Sequence, residues 1–322
     1  MSPEAFINYN NISNDIDRDG WNLMGNPYSS SIDWDLILGN DTEAAVYVWN
    51  GFNYISWNGT VGALNHGIIP PMTGFFVKAL YKGYSPFQIP KTARVHANDV
   101  FHKQSAIGPI LEVEVSDGTY EDKTYFRINN EATHNFDSGH DARKLFGIDE
   151  APQLYSETRG LALSINEFPW QGTEIEHHLC FGAGKFGEYI LNFSASGFGP
   201  EQKVTFTDNQ KQISFALDNQ YQYKFDYLPG ENPQRFFIKI SPGAYTPSNL
   251  RLQAYAHGGS IHVLNPNLEN GEMRIISTNA QVVYTSRIAG SDHQEFSPSL
   301  GNGVYIVQII TNNATYNEKI IF

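Results

Sequence analysis

The chain has 322 residues, enough for two or three domains, and sets 34 Asp and Glu against 21 Lys and Arg, a net charge of −13. That balance argues against nucleic acid or an anionic membrane as a partner, and no Lys/Arg-rich run offsets it locally. The single cysteine, Cys180, excludes an internal disulfide framework and a cysteine-rich zinc site.

No segment approaches the roughly 20 apolar residues that span a bilayer. The opening MSPEAFINYN has neither a basic start nor an apolar stretch, so it is not a secretory signal. The protein is then either cytoplasmic or the C-terminal piece of a longer secreted chain. Abundant Gly and aromatic residues, with short β-branched runs between Gly, Asn, Asp and Pro, predict an all-β fold.

The first notable stretch, Asn14 to Asp35, opens D-x-D-x-D-G through Asp15, Asp17, Asp19 and Gly20. Those carboxylates could offer hard oxygen ligands to Ca2+, with Asp33 or Asp35 recruited as the loop folds back. An EF-hand would need a Glu where Asn26 stands, and flanking helices where GWNLMG reads as a strand. A solvated turn leading into a strand is the stronger reading. Trp21 and Trp34 read as core residues.

Strands follow at GWNLMG, AAVYVWN, FNYISWN and TGFFVKALY. In VYVWN, alternation sends Val46 and Val48 to one face and Tyr47 and Trp49 to the other. Asn50-Gly51 and Asn58-Gly59 are hairpin signals. Trp49, Tyr54 and Trp57 crowd this hairpin, and flat rings can stack a sugar; alternation also requires part of the set to fill the core.

The polar segment Ile89 to Gly108 reads as the passage to a second module. Its strands are ILEVEVSDG, KTYFRIN, LALSIN, EYILNFSA, KVTFTD, QYKFDYL and RFFIKIS, with a helical turn expected at Asp141 to Gly147 capped by Asp141. EIEHHLC, from Glu174 to Cys180, reads as a core or edge strand. Glu112 and Glu114 share one strand face, as exposed acids commonly do. No nucleophile elbow, phosphate loop or H-E-x-x-H motif occurs, and the chain reads as non-catalytic. Ser241 to Asn249 reads as a linker.

The last stretch resembles the type IX secretion (Por) sorting domain of secreted Bacteroidetes proteins. SIHVLNPNLENGEMRIISTNAQVVYTS and FSPSLGNGVYIVQIITNNATYNEKIIF carry the resemblance, with Gly303, Tyr305, Val307 and Lys319 in the sorting motif. The usual Y-P-N-P opening reads Leu264 to Asn267 here. GNPY, IPPMTGFFVKA, FDSGHDARKLFG and PQLYS look like segments that precede such domains in large surface proteins. The resemblance implies a β-sandwich or jelly-roll module at 1–95, another at 96–245, and an immunoglobulin-like sorting domain at 250–322.

It also implies a secreted or outer-membrane-surface location, with the signal peptide in sequence beyond this fragment. The type IX translocon would read the last module, while the first two would serve as spacers or adhesive surfaces for glycans or for host and matrix proteins. The alternative is that they are carbohydrate-binding modules of a larger secreted hydrolase.

Overall fold

A computed structural model describes residues 4–13, 15–37, 41–95, 108–199, 201–217, 220–243, 252–257, 260–265, 268–291, 293–301, 303–312 and 315–322. The protein is all-β, with only short 3-10 turns among these residues. It divides into two compact units, Met1–Ala244 and Tyr245–Phe322. Most of the passage expected at Ile89 to Gly108, and of the linker expected at Ser241 to Asn249, lies outside the described residues.

Within the first unit, one buried cluster draws on residues 7–93 and another on residues 111–240. The first lies beneath a four-stranded sheet in the order Trp21–Gly25, Gly74–Lys78, Val46–Trp49, Tyr54–Trp57. Val46 pairs with Trp57 and Val48 with Ile55, so these four share the face that packs on Phe75, Val77 and the fully buried Trp34. The alternation expected from VYVWN is the one observed.

Three turns share one construction. Asn50, Asn58 and Asp117 each accept two backbone N–H bonds on a side-chain oxygen, from the residues two and three places on. The following Gly51, Gly59 and Gly118 have φ of 113°, 92° and 85°, a region that favours glycine. Asn-Gly and Asp-Gly therefore mark turns here because the side chain supplies the acceptor while glycine supplies the backbone angle.

The second cluster is enclosed by an 11-stranded sheet that folds over on itself. Its central strands, Glu121–Ile128 and Leu161–Phe168, run parallel, and the remaining pairs are antiparallel. Phe193, near one end of the sheet, lies 4.9 Å from Phe206 near the other, ring to ring. Phe181, Tyr189, Phe225 and Phe236 complete an aromatic interior.

The helical turn expected over Asp141 to Gly147 is not formed. Ala142–Arg143 pairs as a strand with Leu161–Phe168 instead. The Asp141 carboxylate accepts from the Asp137 and Glu167 amides, so it is not free to cap a helix. Arg143 and Lys144 both end in buried ion pairs. Local helix signals are worth tenths of a kcal/mol to about 1 kcal/mol, less than the cost of abandoning such pairs.

EIEHHLC is a strand, Ile175–Gly182, inside the same sheet. The His177 ring lies 4.1 Å from that of Phe168, and its Nε2 is buried without a hydrogen-bond partner. Burial holds this imidazole down to about 4, with His134 and His178 repelling a charge there. Unfolded, the ring titrates near its ordinary 6.5. Between pH 6.5 and 4 the unfolded state therefore binds a proton that the folded state refuses, and stability is lost as the pH is lowered, by up to about 1.4 kcal/mol per unit. We expect His177→Phe to flatten this limb: the urea midpoint of the variant minus that of the parent should rise from pH 7 to pH 4. Parallel pH profiles would contradict it.

Candidate functional site

The second unit, whose residues carry the expected sorting motif, is a sandwich. A three-stranded sheet (Gln253–His257, Ser260–Leu264, His293–Phe296) faces a four-stranded one (Val282–Ile288, Gly271–Ser277, Val304–Thr311, Thr315–Ile321) across one apolar cluster. Val307 is in that cluster with Met273, Ile275, Ile309 and Ile320. Gly303 and Phe322 exchange both backbone bonds, at 3.0 and 2.9 Å, so the chain end is zipped onto the start of strand Val304–Thr311. Tyr305 donates its hydroxyl proton to the Gly301 carbonyl at 2.9 Å, folding over the preceding turn. Lys319 lies opposite Ile306 on an edge strand and is exposed. Three of the four motif residues thus close the sandwich, while Lys319 faces solvent.

The LNPN opening has a structural role through Asn265. Its buried amide donates to the carbonyls of Glu269 and Ala289, and its oxygen accepts from the Glu269 amide. One side chain therefore ties the turn after strand Ser260–Leu264 to the end of strand Val282–Ile288.

In the first unit, the carboxylates of the D-x-D-x-D-G loop go to three different partners. Asp15 accepts from the Asp17 amide and pairs with Arg18. Asp17 accepts from Arg143. Asp19 accepts from the Ser13 amide and hydroxyl, and its second oxygen, Oδ2, is buried without a partner. The cation inside the loop is the Lys78 ammonium, which donates to the carbonyls of Ile16 and Asp19 and lies 5.4 Å from the Trp21 ring centre. Among the described residues, no group of three or more His, Cys, Asp or Glu side chains is arranged to hold a metal ion.

The aromatic set of the hairpin is divided between faces. Trp49 and Tyr54 pair across the strands with ring centres 4.9 Å apart, and Trp49 is 41% exposed. Trp57 turns to the opposite face, is 7% exposed, and donates its indole N–H to Asp35. Tyr47, on the face of Trp49, is buried against the second module and accepts from the Arg143 amide at 2.7 Å. The structure brings Trp49 and Tyr54 together and leaves Trp57 out.

What the sequence did not signal is the charged and polar junction that joins the two modules. Arg143 donates through Nε to both oxygens of Glu43, at 3.1 and 3.2 Å, with both side chains buried. Burial pushes the Glu43 carboxyl up, against the pull of Arg143 and Lys78, and burial likewise lowers Lys78. Beside this pair, Asn53 bonds the carbonyls of Glu121 and Pro152, Ser56 meets Ser164 at 2.8 Å, and Asn58 donates to Glu167 at 2.8 Å. A lysine within the apolar run GFFVKA was the available clue to Lys78; Arg143 and Glu43 lie 100 residues apart and share no local pattern.

Two other groups noted in the sequence resolve simply. Burial pushes the Cys180 thiol up to about 12, so it carries no thiolate near neutral pH. Glu112 and Glu114 both pair with Lys123, at 2.8 and 2.9 Å, and hold it up at about 12 although partial burial pulls the other way.

The chain is all-β, and its second unit is a small sandwich with its own apolar cluster. Residues 259–322 match the Secretion system C-terminal sorting domain, which makes the tail a type IX export signal and the protein one that reaches the cell surface or is secreted. The chain is also similar to the minor fimbrium subunit Mfa5 of Porphyromonas gingivalis, 22% identical over 356 residues covering 98% of this chain. It spans only 28% of that protein's length. No helix among the described residues is long and apolar enough to cross a membrane.

Removing Arg143 strands a buried carboxylate, which costs about 3–5 kcal/mol in comparable cases. We expect Arg143→Met to lower the unfolding free energy of the first unit by about that amount, and Glu43→Gln added to it to recover a substantial part. A double variant as unstable as the single one in urea titration would show that the pair does not couple the modules.

Proposed function

We propose that this chain is a non-catalytic C-terminal portion of an exported, surface-attached protein. In this reading, the tail is the signal engaged by the type IX machinery and Met1–Ala244 is a rigid spacer that presents adhesive surfaces. The observation that carries it is the tail itself: a closed sandwich in which Gly303 pairs with Phe322, Tyr305 folds over the preceding turn and Val307 fills the core, over the segment matched to the sorting-domain family. The fimbrium-subunit name of the similar protein supports the adhesive half of the proposal. So does the junction, since two modules fixed by a buried ion pair and an apolar cluster transmit position better than modules on a loose tether.

The test is export of the chain behind a signal peptide, in a Bacteroidetes strain with and without its type IX translocon. A second form would lack residues 259–322. We expect protease-accessible chain at the surface or in the medium only when both translocon and tail are present. Equal surface exposure without the tail would overturn the export reading.

A further inference from the structure

One end of the second module carries a cleft of about 640 Å³, within the roughly 300–1,000 Å³ typical of ligand sites. It lies where strands Ile110–Ser116 and Gln202–Asp208 begin and strands Glu121–Ile128, Leu161–Phe168 and Gly187–Ser196 end. Arg127, Asn129, Asn130, Trp170, Glu201 and Gln202 line it, with glycines at 197 and 199 leaving the space open. A Cβ at position 199 would lie 2.4 Å from the Glu201 carboxylate, so glycine there makes room for that group.

The polar groups are partly committed and partly unspent. Arg127 donates through Nη1 to Glu167 at 2.7 Å, but its Nε is buried with no hydrogen-bond partner among the described residues. Asn130 accepts from the Trp170 amide, and Gln202 accepts from the Gly199 amide. Each of these oxygens is therefore used, which fixes the carboxamides with their NH2 groups as the remaining donors. Trp170 spends its indole N–H on the Thr173 carbonyl at 2.9 Å, so what it adds to the cleft is apolar ring surface.

We propose that this cleft is a binding site for a neutral carbohydrate, a short run of sugar residues carrying no acidic group. Amide donors, a guanidinium N–H and a carboxylate acceptor suit vicinal hydroxyls, which both donate and accept. The Trp170 ring suits the apolar C–H face of a pyranose. Glu167 already balances the Arg127 charge, and Glu201 adds a negative one, so an anionic ligand gains no net attraction here. This site deepens the adhesive half of the function proposed above and does not depend on export, because it can be tested on purified protein.

The test titrates the purified full chain with neutral oligosaccharides (cellotriose, chitotriose, maltotriose, mannotriose, lactose) and with sialyllactose as the acidic comparison. Intrinsic tryptophan fluorescence and retention on immobilised glycans give two readouts. We expect saturable binding to at least one neutral sugar, weakened 10-fold or more by Trp170→Ala and also by Glu201→Gln. Glu201 is exposed, so the second variant tests the site without disturbing a core residue. Circular dichroism confirms that each variant is folded. No binding to any neutral sugar would overturn the proposal, as would binding that survives both variants or binding of sialyllactose alone. Binding lost in Trp49→Ala but kept in Trp170→Ala would move the site to the first module and likewise overturn it. The export experiment is untouched by any of these results.

Discussion

A guanidinium leaves water at high cost unless it is paired and hydrogen-bonded, and Arg143 is buried against Glu43 while its far end reaches the half-exposed Asp17. Much of the first unit hangs on that arrangement. Asp17 belongs to the loop that wraps the Lys78 ammonium, and Lys78 sits within the same field of Glu43, Asp17 and Asp19. The loop in turn places Trp21 against Tyr47, whose hydroxyl receives the Arg143 amide. Buried pairs of this kind add little net stability compared with apolar groups of the same shape, yet they are costly to break. Their contribution is therefore to geometry. The apolar cluster of Ala45, Tyr47, Val61, Tyr125, Ala142 and Ile165 supplies the attraction between modules, and the ions decide where the two surfaces stop sliding.

The same junction flanks a sheet edge. Strand Tyr54–Trp57 is the last strand of its four-stranded sheet, and an unpaired edge invites pairing with another chain. Here the first module covers the strand itself, with the Leu64 amide donating to the Ser56 carbonyl and Gly62 bridging to Trp57, while the second module adds contacts around it: the Ile148 amide donates to the Phe52 carbonyl, and the Asn53, Ser56 and Asn58 side chains bond across. The approach is close enough that a Cβ on Gly147 would lie 2.1 Å from the Phe52 carbonyl oxygen. A hairpin that looks from its sequence like a free aromatic platform is thus largely an internal surface, with Trp49 and Tyr54 at its margin.

Legibility in the sequence followed the range of the interaction. The turns at Asn50, Asn58 and Asp117 were readable because both halves of their chemistry, the side-chain acceptor and the glycine φ, sit in adjacent residues. Val46 and Val48 against Tyr47 and Trp49 were readable because strand alternation is local. The segment Asp141 to Gly147 was misread because its cap and its charges are committed elsewhere: Arg143 to Glu43, and Lys144 to Asp122. An extended backbone sends neighbouring side chains to opposite sides, which is what two cations with partners in different places require. The cleft could not be read at all, since its lining comes from residues between 108 and 202 that only the folded sheet brings together.

The tail follows a different logic from the unit before it. Among the described residues its buried cluster is drawn wholly from 252–322, and Phe322 is paired with Gly303. A sorting signal has to keep its shape whatever cargo precedes it, and a module of this size can do so only if its own strands enclose its own core. Pairing Phe322 with Gly303 serves that end, because it ties the close of strand Thr315–Ile321 to the start of strand Val304–Thr311. Gly303, Tyr305 and Val307 therefore serve the closure of the sandwich. Lys319, exposed on the edge strand, is the one member of the set whose side chain the fold itself does not consume.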